Sequence, residues 1–289
     1  MQTSGIVVLN YQNADEVIRF VDAIKNYLEL DYIVIVDNFS KDDSLEKLKR
    51  LSSKKIKILA NKTNSGYAAG NNVGIRFLVE KKSCNNIFIA NPDIVVSSDV
   101  ISNMKEFLVN NSKCVVVAPQ MITSDGGIQK NYWRLPTTLD DIVNTSVILS
   151  RIKGLFTLQK SNLKVNKKVD VVLGAFFAID AKFIKSVGYF NEGTFLYNEE
   201  NILGVMVKNH GYEENILADN FYVHLGGTSS KDANILEKYK NYFNGMRLYH
   251  KKFRKKKKIT FIILSIFMKL GLIEKYIIYQ IRKVLNDKA

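Results

Sequence analysis

An α/β fold, with a parallel sheet covered by helices on both faces, is predicted by two observations. Residues 5–9 (GIVVL), 32–36 (YIVIV), 56–60 (IKILA) and 86–90 (NIFIA) are short, β-branched runs of strand length. Segments 14–29, 42–52, 71–82 and 98–110 separate or follow them and carry apolar residues at helical spacing. That alternation is the signature of consecutive βαβ units, because each parallel strand needs a crossover connection.

Further along, Val115–Ala118 reads as another strand, ended by Pro119. From about 120 to 168 the pattern loosens, with Gly126-Gly127, Trp133 and Pro136, and some helix is expected near 139–152. Strand character returns at 169–179 (VDVVLGAFFAI), followed by a helix at 181–187 and a turn over Tyr189–Glu200. Residues 201–210 have helical spacing and 215–224 read as a strand ending at His224.

Composition narrows the function classes. A chain of 289 residues, 46% hydrophobic and 24% charged, can bury a large core. Cys84 and Cys114 are too few for a disulfide framework or a zinc site, which fits a reducing compartment. Met1–Gly5 leads straight into a strand without a basic region and a signal-length apolar core, so a cytoplasmic location is expected.

The net charge of +14 invites a nucleic-acid reading, yet residues 247–289 hold thirteen basic side chains against Glu274 and Asp287, or +11 of it. The main domain therefore lacks a polyanion footprint, and no nucleic-acid partner is expected. The chain divides into a main α/β domain over 1–230 and a basic helical tail over 231–289. In the tail, 233–250 read as an amphipathic helix, Lys251–Lys258 as a basic run, and Ile259–Phe267 as a short apolar helix interrupted by Lys269. The apolar run falls short of the roughly 20 residues that a spanning helix needs. A basic flank beside a short apolar helix points to a membrane surface engaged by residues 251–289. A tail packed on the core beside a solvated charge run is the alternative.

Four groups of residues carry candidate chemistry. Asp37, after the second strand, can accept hydrogen bonds from a nucleobase N–H or a ribose hydroxyl at the carboxyl edge of the sheet. Alternatively Asp37, Asn38 and Ser40 cap a helix beginning near Lys41, an explanation that suits Ser40. Asn64–Gly74 holds Gly66, Gly70, Gly74, Asn64, Asn71 and Asn72 in a loop running into a helix, which favours close approach of an anionic ligand. The same composition suits any strand-to-helix turn. Asp93, in Asn91-Pro92-Asp93, is a candidate metal ligand and His224 a second one, although Asn-Pro-Asp also makes a good turn. Glu199 and Glu200 offer a general base. Adjacent residues point differently, so one faces the site while the other anchors the helix start, and Phe195 and Tyr197 supply an apolar wall. A merely acidic first helical turn is the alternative.

The ordered set Leu9-Asn10-Tyr11, Val36-Asp37-Asn38, Asn64…Gly66-Tyr67-Ala68-Ala69-Gly70-Asn71-Asn72, Asn91-Pro92-Asp93, Gly174-Ala175, Gly188-Tyr189-Phe190-Asn191-Glu192, Phe195–Glu200 and His224 resembles family 2 glycosyltransferases. It looks most like the rhamnosyltransferase-like branch of bacterial polysaccharide assembly, from about residue 5 to 230. The resemblance implies a GT-A fold, a nucleotide-diphosphate sugar donor, a divalent cation (Mg or Mn) and inversion at the anomeric carbon. Leu9, Asn10 and Asp37 would contact base and ribose, and Asn64, Gly70 and Asn71 would line the nucleotide. Asp93 would hold the metal, with His224 as a candidate second ligand; Gly174, Ala175 and Tyr197 would border sugar or acceptor, and Glu200 would be the base. The tail implies a lipid-linked saccharide acceptor at the inner membrane face.

Two departures from the family pattern stand out. Asn91 replaces the first Asp of Asp-x-Asp, and Glu200 replaces the usual Asp of a Glu-Asp pair, placing its carboxylate about one methylene farther out. The rival readings are a nucleotidyltransferase, which would carry a Gly-rich, Lys/Arg-bearing signature near the first strand where Leu9–Asp15 has neither, and a non-catalytic membrane-associated protein that binds sugar nucleotides.

Overall fold

The computed structural model describes residues 2–150, 162–226, 235–254 and 258–286. Its first part follows the expected alternation: β1 (Ser4–Asn10), α1 (Ala14–Ile24), β2 (Tyr32–Asp37), α2 (Ser44–Lys49), β3 (Ile56–Ala60), α3 (Tyr67–Arg76) and β4 (Asn86–Ala90). These four strands lie parallel in the order β3-β2-β1-β4. Both faces are buried because neighbouring residues of one strand point opposite ways. Ile6, Val8, Ile33 and Ile35 pack beneath Val17, Phe20 and Ile24 of α1. Val7, Val34 and Val36 pack beneath Ala68 and Ile75 of α3. Each fully buried Val or Ile is worth roughly 1.5–3 kcal/mol, so the double-sided pattern holds this half firmly.

Beyond β4 the sheet changes character. β5 (Ile94–Val95) and α4 (Ser98–Asn110) precede β6 (Cys114–Thr123), and β7 (Ile128–Gln129) and β8 (Tyr132–Trp133) precede α5 (Thr138–Thr145). Then come β9 (Lys167–Val169), β10 (Val171–Val172), β11 (Phe176–Asp180), α6 (Ala181–Ser186), α7 (Glu199–Asn209) and β12 (Glu213–His224). The order continues β4-β11-β6-β12-β5, with β11 antiparallel to both β4 and β6. The sheet is therefore mixed rather than parallel throughout.

Two further expectations are corrected. Pro119 does not end the sixth strand, which runs on to Thr123. Pro119 stands opposite Leu217, where the β12 register jumps to Phe221, and a missing N–H is tolerated at such an irregularity. The run 169–179 is not one strand but three pieces, because β10 leaves the main sheet to pair with β8.

The tail also differs from expectation. α8 (Ile235–Leu248) matches the amphipathic helix and is followed by a wider π turn at Tyr249–Phe253. α9 then runs as one helix of 29 residues, Lys258–Asn286, rather than a short apolar piece. Lys269 does not interrupt it, since a lysine on the flank of a helix keeps its charge in solvent. Leu264 and Met268 of α9 are buried with Phe243 and Met246 of α8. Lys275 is buried too, its ammonium donating to the Thr145 carbonyl of α5 and lying 4.3 Å from the Tyr239 ring centre. His250 and Asp141, both buried, meet at 2.6 Å and tie the π turn to α5. No helix among the described residues is long and apolar enough to cross a membrane.

Candidate active site

The strand ends of the parallel half converge on one edge, and the register puts Asn10 opposite Asp37 there. Asn10 Nδ2 donates to Asp37 Oδ1 (2.8 Å) and to Ser40 Oγ (3.1 Å), while the Ser40 N–H donates to Asp37 Oδ2 (3.1 Å). Each carboxylate oxygen keeps a further lone pair for a ligand. Ser40 does not cap α2, whose N-cap is Asp43; its hydroxyl also accepts from the Gln12 N–H. Asn38 forms a second knot, accepting from Asn61 Nδ2 (2.9 Å) and donating to Asn64 Oδ1 (2.9 Å). Asn64 Oδ1 also accepts the Gly66 N–H (3.1 Å).

Gly70 and Asn71 do not form a turn at this edge. Both lie inside α3, which begins at Tyr67 rather than near 71. The apolar pairing with the sheet drives the earlier start: a Cβ on Gly70 would lie 2.6 Å from Leu9 Cδ1, so the helix sits directly on β1. Leu9 consequently packs under Gly70. Asn71 Nδ2 donates to the Tyr67 carbonyl at 3.0 Å, and its buried Oδ1 has no protein partner.

Asp93 follows β4 and comes within 3.1 Å of His224 Nε2 at the end of β12. His224 is brought there by antiparallel pairing of β12 with β5. The Asp93 hydrogen bond raises the His224 pKa above its ordinary value, partly offset by burial. A carboxylate oxygen and an imidazole nitrogen at the sheet edge suit a divalent cation that completes its shell with diphosphate oxygens. No cluster of three or more metal-ligating side chains exists among the described residues. Protonated His224 would compete with the cation, because only neutral imidazole ligates.

The carboxylate pair sits at the start of α7 after an unusual turn. Tyr197 and Asn198 both adopt left-handed backbone angles, φ 74° and 71°. That conformation costs roughly 1–2 kcal/mol for most side chains and less for Asn. Glu200 Oε1 accepts the Gly174 N–H at 3.3 Å, and a Cβ on Gly174 would come 2.8 Å from the same oxygen. Burial raises the Glu200 carboxyl, with the Gly174 N–H working in the other direction. Burial first and Glu200 second push Glu199 up to about 8, and Glu199 Oε2 has no hydrogen-bond partner. The Ala175 carbonyl accepts the Asn91 N–H at 2.8 Å, so Gly174-Ala175 joins this turn to the Asn91–Asp93 strand end. Phe195 is half exposed, and the Tyr197 ring packs edge-on against Tyr242 of α8.

Tyr67 links the groups, a role that sequence reasoning missed although the residue stands inside the quoted Asn64–Asn72 motif. Its hydroxyl donates to the Gly174 carbonyl at 2.8 Å, with Asn91 Oδ1 at 3.3 Å. Burial, then the charges of Glu199 and Glu200, hold that proton well above the ordinary phenol range, and Asp93 adds to them. One phenol thus lies in the field of all three carboxylates. The Tyr67 N–H donates to the Phe195 carbonyl at 2.8 Å, where a side chain on Gly66 (φ 93°) would collide. Asn72 holds the preceding loop by pairing with both the N–H and the carbonyl of Phe190. Glu214 is a second omission: buried on β12, it accepts the Val172 N–H at 2.9 Å. No motif signals it.

A family model described as Glycosyl transferase family 2 matches residues 5–185. The low-salt glycan biosynthesis hexosyltransferase Agl10 of Haloferax volcanii is 26% identical over 196 residues, covering 68% of this chain and 58% of that protein. Among solved structures, GalNAc-T7 with UDP, GalNAc and Mn2+ superposes with a TM-score of 0.60 at 14% identity, over 86% of this chain and 48% of that one. The mannosyltransferase PcManGT from Pyrobaculum calidifontis, in complex with GDP-Man and Mn2+, gives 0.58 at 15% identity, over 93% and 70%. S. aureus TarS residues 1–349 with UDP-GlcNAc gives 0.57 at 14% identity, over 85% and 65%. The chain thus spans about half to two thirds of most of these relatives, and the structural likenesses show a shared GT-A fold.

Proposed function

The chain belongs to glycosyl transferase family 2, and from that premise we propose that it is an inverting hexosyltransferase that moves a sugar from a nucleotide-diphosphate donor to a saccharide acceptor. The observation that carries the reading is that Gly174 is held by both the Tyr67 hydroxyl and Glu200, with Glu199 and Asp93 also within electrostatic reach of that phenol, beside the Asn10–Asp37 strand edge. Asp37 and Asn10 receive the nucleoside, and the Asn38–Asn64 knot holds the loop beside it. Asp93 with His224 would hold a divalent cation, which when bound supplies positive charge opposite the donor diphosphate. Relatives of the fold were solved with Mn2+ and UDP or GDP-mannose, in keeping with this assignment.

Glu200 is the proposed base. Its Oε1 is aimed by the Gly174 N–H, and its raised pKa matches a group that must take a proton near neutral pH. It deprotonates an acceptor hydroxyl, whose oxygen forms the new bond to the anomeric carbon as the bond to the nucleoside diphosphate breaks. Glu199 remains beside it, its own carboxyl raised by burial and then by Glu200. Gly174-Ala175 and Tyr197 border the transferred sugar.

The donor is proposed to be dTDP-rhamnose or a UDP-hexose, and the acceptor a polyprenyl-diphosphate-linked saccharide in cell-surface polysaccharide assembly. α9 supports a lipid-linked acceptor. Ile259, Ile262, Ile263, Ile266, Leu270, Ile273 and Ile277 are exposed and share one helix face, opposite the buried Leu264, Met268 and Lys275. Such a stripe beside Lys251, Lys252 and Lys258 fits peripheral binding to the inner, anionic face of the cell membrane. The packed inner face and the apolar outer face make the two readings of the tail compatible. The deciding experiment incubates purified protein with Mn2+ and a panel of dTDP-, UDP- and GDP-sugars and measures nucleoside diphosphate release with and without a polyprenyl-diphosphate saccharide. No release from any donor, by protein that binds UDP and Mn2+, rejects the enzymatic reading and leaves a binding protein.

A further inference from the structure

We propose that helix α8 is part of the catalytic apparatus and that Asn198 is its contact point, a positioning residue that clamps the turn carrying Glu199 and Glu200. The proposal rests on the glycosyltransferase reading above and extends it to an element beyond the sequence motifs. Asn198 occupies the N-cap of α7, where an Asn side chain usually accepts a backbone N–H of its own helix. Here it makes no such bond. Its Nδ2 instead donates to the Tyr242 carbonyl of α8 at 3.0 Å, and its Oδ1 accepts from Asn201 Nδ2 at 2.9 Å. Asn201 Oδ1 in turn accepts from Trp133 Nε1 at 2.7 Å. One chain of three hydrogen bonds therefore crosses from β8 through α7 to α8.

Packing at the same point requires the close approach. A Cβ on Gly245 would lie 2.6 Å from the Tyr197 carbonyl oxygen and 3.1 Å from Asn198 Nδ2. Tyr242 and Tyr197 meet edge to face, 6.3 Å between ring centres. The turn consists of two consecutive left-handed residues, which need surrounding contacts to persist. Glu199 and Glu200 follow immediately as the first residues of α7, so the orientation of the turn sets theirs.

The test uses three variants of the full chain. Asn198→Gly keeps the left-handed backbone accessible and removes both side-chain bonds. Asn198→Asp keeps the acceptor for Asn201 but sets an oxygen against the Tyr242 carbonyl. Gly245→Ala alters no hydrogen-bonding group and forces α8 off the turn. Trp133 is the single tryptophan of the chain, so its emission reports on the hydrogen-bond chain without any need for turnover.

In all three, UDP affinity in Mn2+ and donor KM are expected to stay near wild type, while kcat falls by roughly 10²-fold, the scale of a misplaced catalytic group. Trp133 emission should shift, and the Asn198→Gly, Gly245→Ala double variant should lose no more kcat than the worse single one. Folded variants with wild-type kcat and unchanged Trp133 emission overturn the proposal. If Asn198→Gly fails to fold, Gly245→Ala decides. If the wild-type protein transfers no sugar, the glycosyltransferase reading fails separately, and unchanged Trp133 emission in Gly245→Ala still rejects the clamp.

Discussion

Two carboxylate sites on this sheet are built in opposite ways. Asp37 is buried, yet both of its oxygens are engaged by Asn10 and by the Ser40 backbone, close in space to the strands that carry them. Glu199 Oε2 has no hydrogen-bond partner, Glu200 Oε1 accepts the Gly174 N–H, and both carboxyls are raised chiefly by burial, with backbone N–H groups working against it. The first carboxylate helps to hold the strand ends together. The second pair is stored in a state that the fold itself disfavours ionising. A buried carboxyl with a raised pKa is costly to ionise, and that is the difference on which the proposed division between a structural Asp37 and a reactive glutamate pair rests.

The comparison breaks first at the base. Glu200→Gln should bind donor normally and lose roughly 10²–10⁴-fold in single-turnover transfer, the range for loss of a general base. Its melting temperature should hold or rise, because a buried acid is replaced by a neutral amide. If Glu199→Gln is instead the inactive variant that binds donor, Glu199 is the base. Full transfer by both variants removes the pair from the mechanism. Asp93→Asn should abolish Mn2+-dependent turnover with the fold intact, and near-normal activity with and without chelator would remove Asp93.

Asp37→Ala is expected to behave in the contrary way. It removes the acceptor of the Ser40 N–H and one of the two acceptors of Asn10 Nδ2, and each unsatisfied buried donor costs about 1–3 kcal/mol. Chemical denaturation should show that loss together with weaker UDP binding; wild-type stability would mean that Asp37 is not the tie described here.

A pH series sharpens the same contrast. The Glu199 and Glu200 carboxyls are raised in the folded protein, so the native state holds protons that the unfolded chain has released. Their contribution to stability is complete below the ordinary carboxylate range and fades as pH rises towards the value of about 8 reached by Glu199. Metal-free protein should thus lose stability over that window while transfer by the loaded protein gains rate. The fall in stability should shrink in Glu199→Gln and Glu200→Gln. A stability curve identical to wild type in both would contradict the raised carboxyls.

The smallest effect concerns the outer face of α9. Ile266→Ser with Ile273→Ser should weaken sedimentation with anionic vesicles while leaving turnover on a soluble acceptor unchanged. Added salt should weaken it further, as each nearby basic charge is worth about 1 kcal/mol and is screened over a Debye length. Point changes are preferable to deleting 251–289, since that deletion uncovers Phe243 and Met246 on α8. Undiminished vesicle binding would rule out the stripe as the contact.

The chain by itself determined a good deal. β2, β3 and β4 lie within a residue of the apolar runs that announce them, and α4 coincides with its predicted span. The motif residues Asp37, Asp93 and Glu199-Glu200 fall where strands end or a helix starts. These are local properties: alternation of side chains and turn chemistry act over a few residues, and the family motifs are contiguous. Tertiary structure decided the rest. β11 joins antiparallel, β6 continues through Pro119, and α3 starts early because Gly70 can lie against Leu9. Tyr67 reaches Gly174 across 107 positions, and Asn198 reaches Tyr242 across 44. No periodicity encodes such contacts. They follow from which donors and acceptors are left facing one another once the core has closed, and burial, rather than any motif, then raised the carboxyls of the two glutamates.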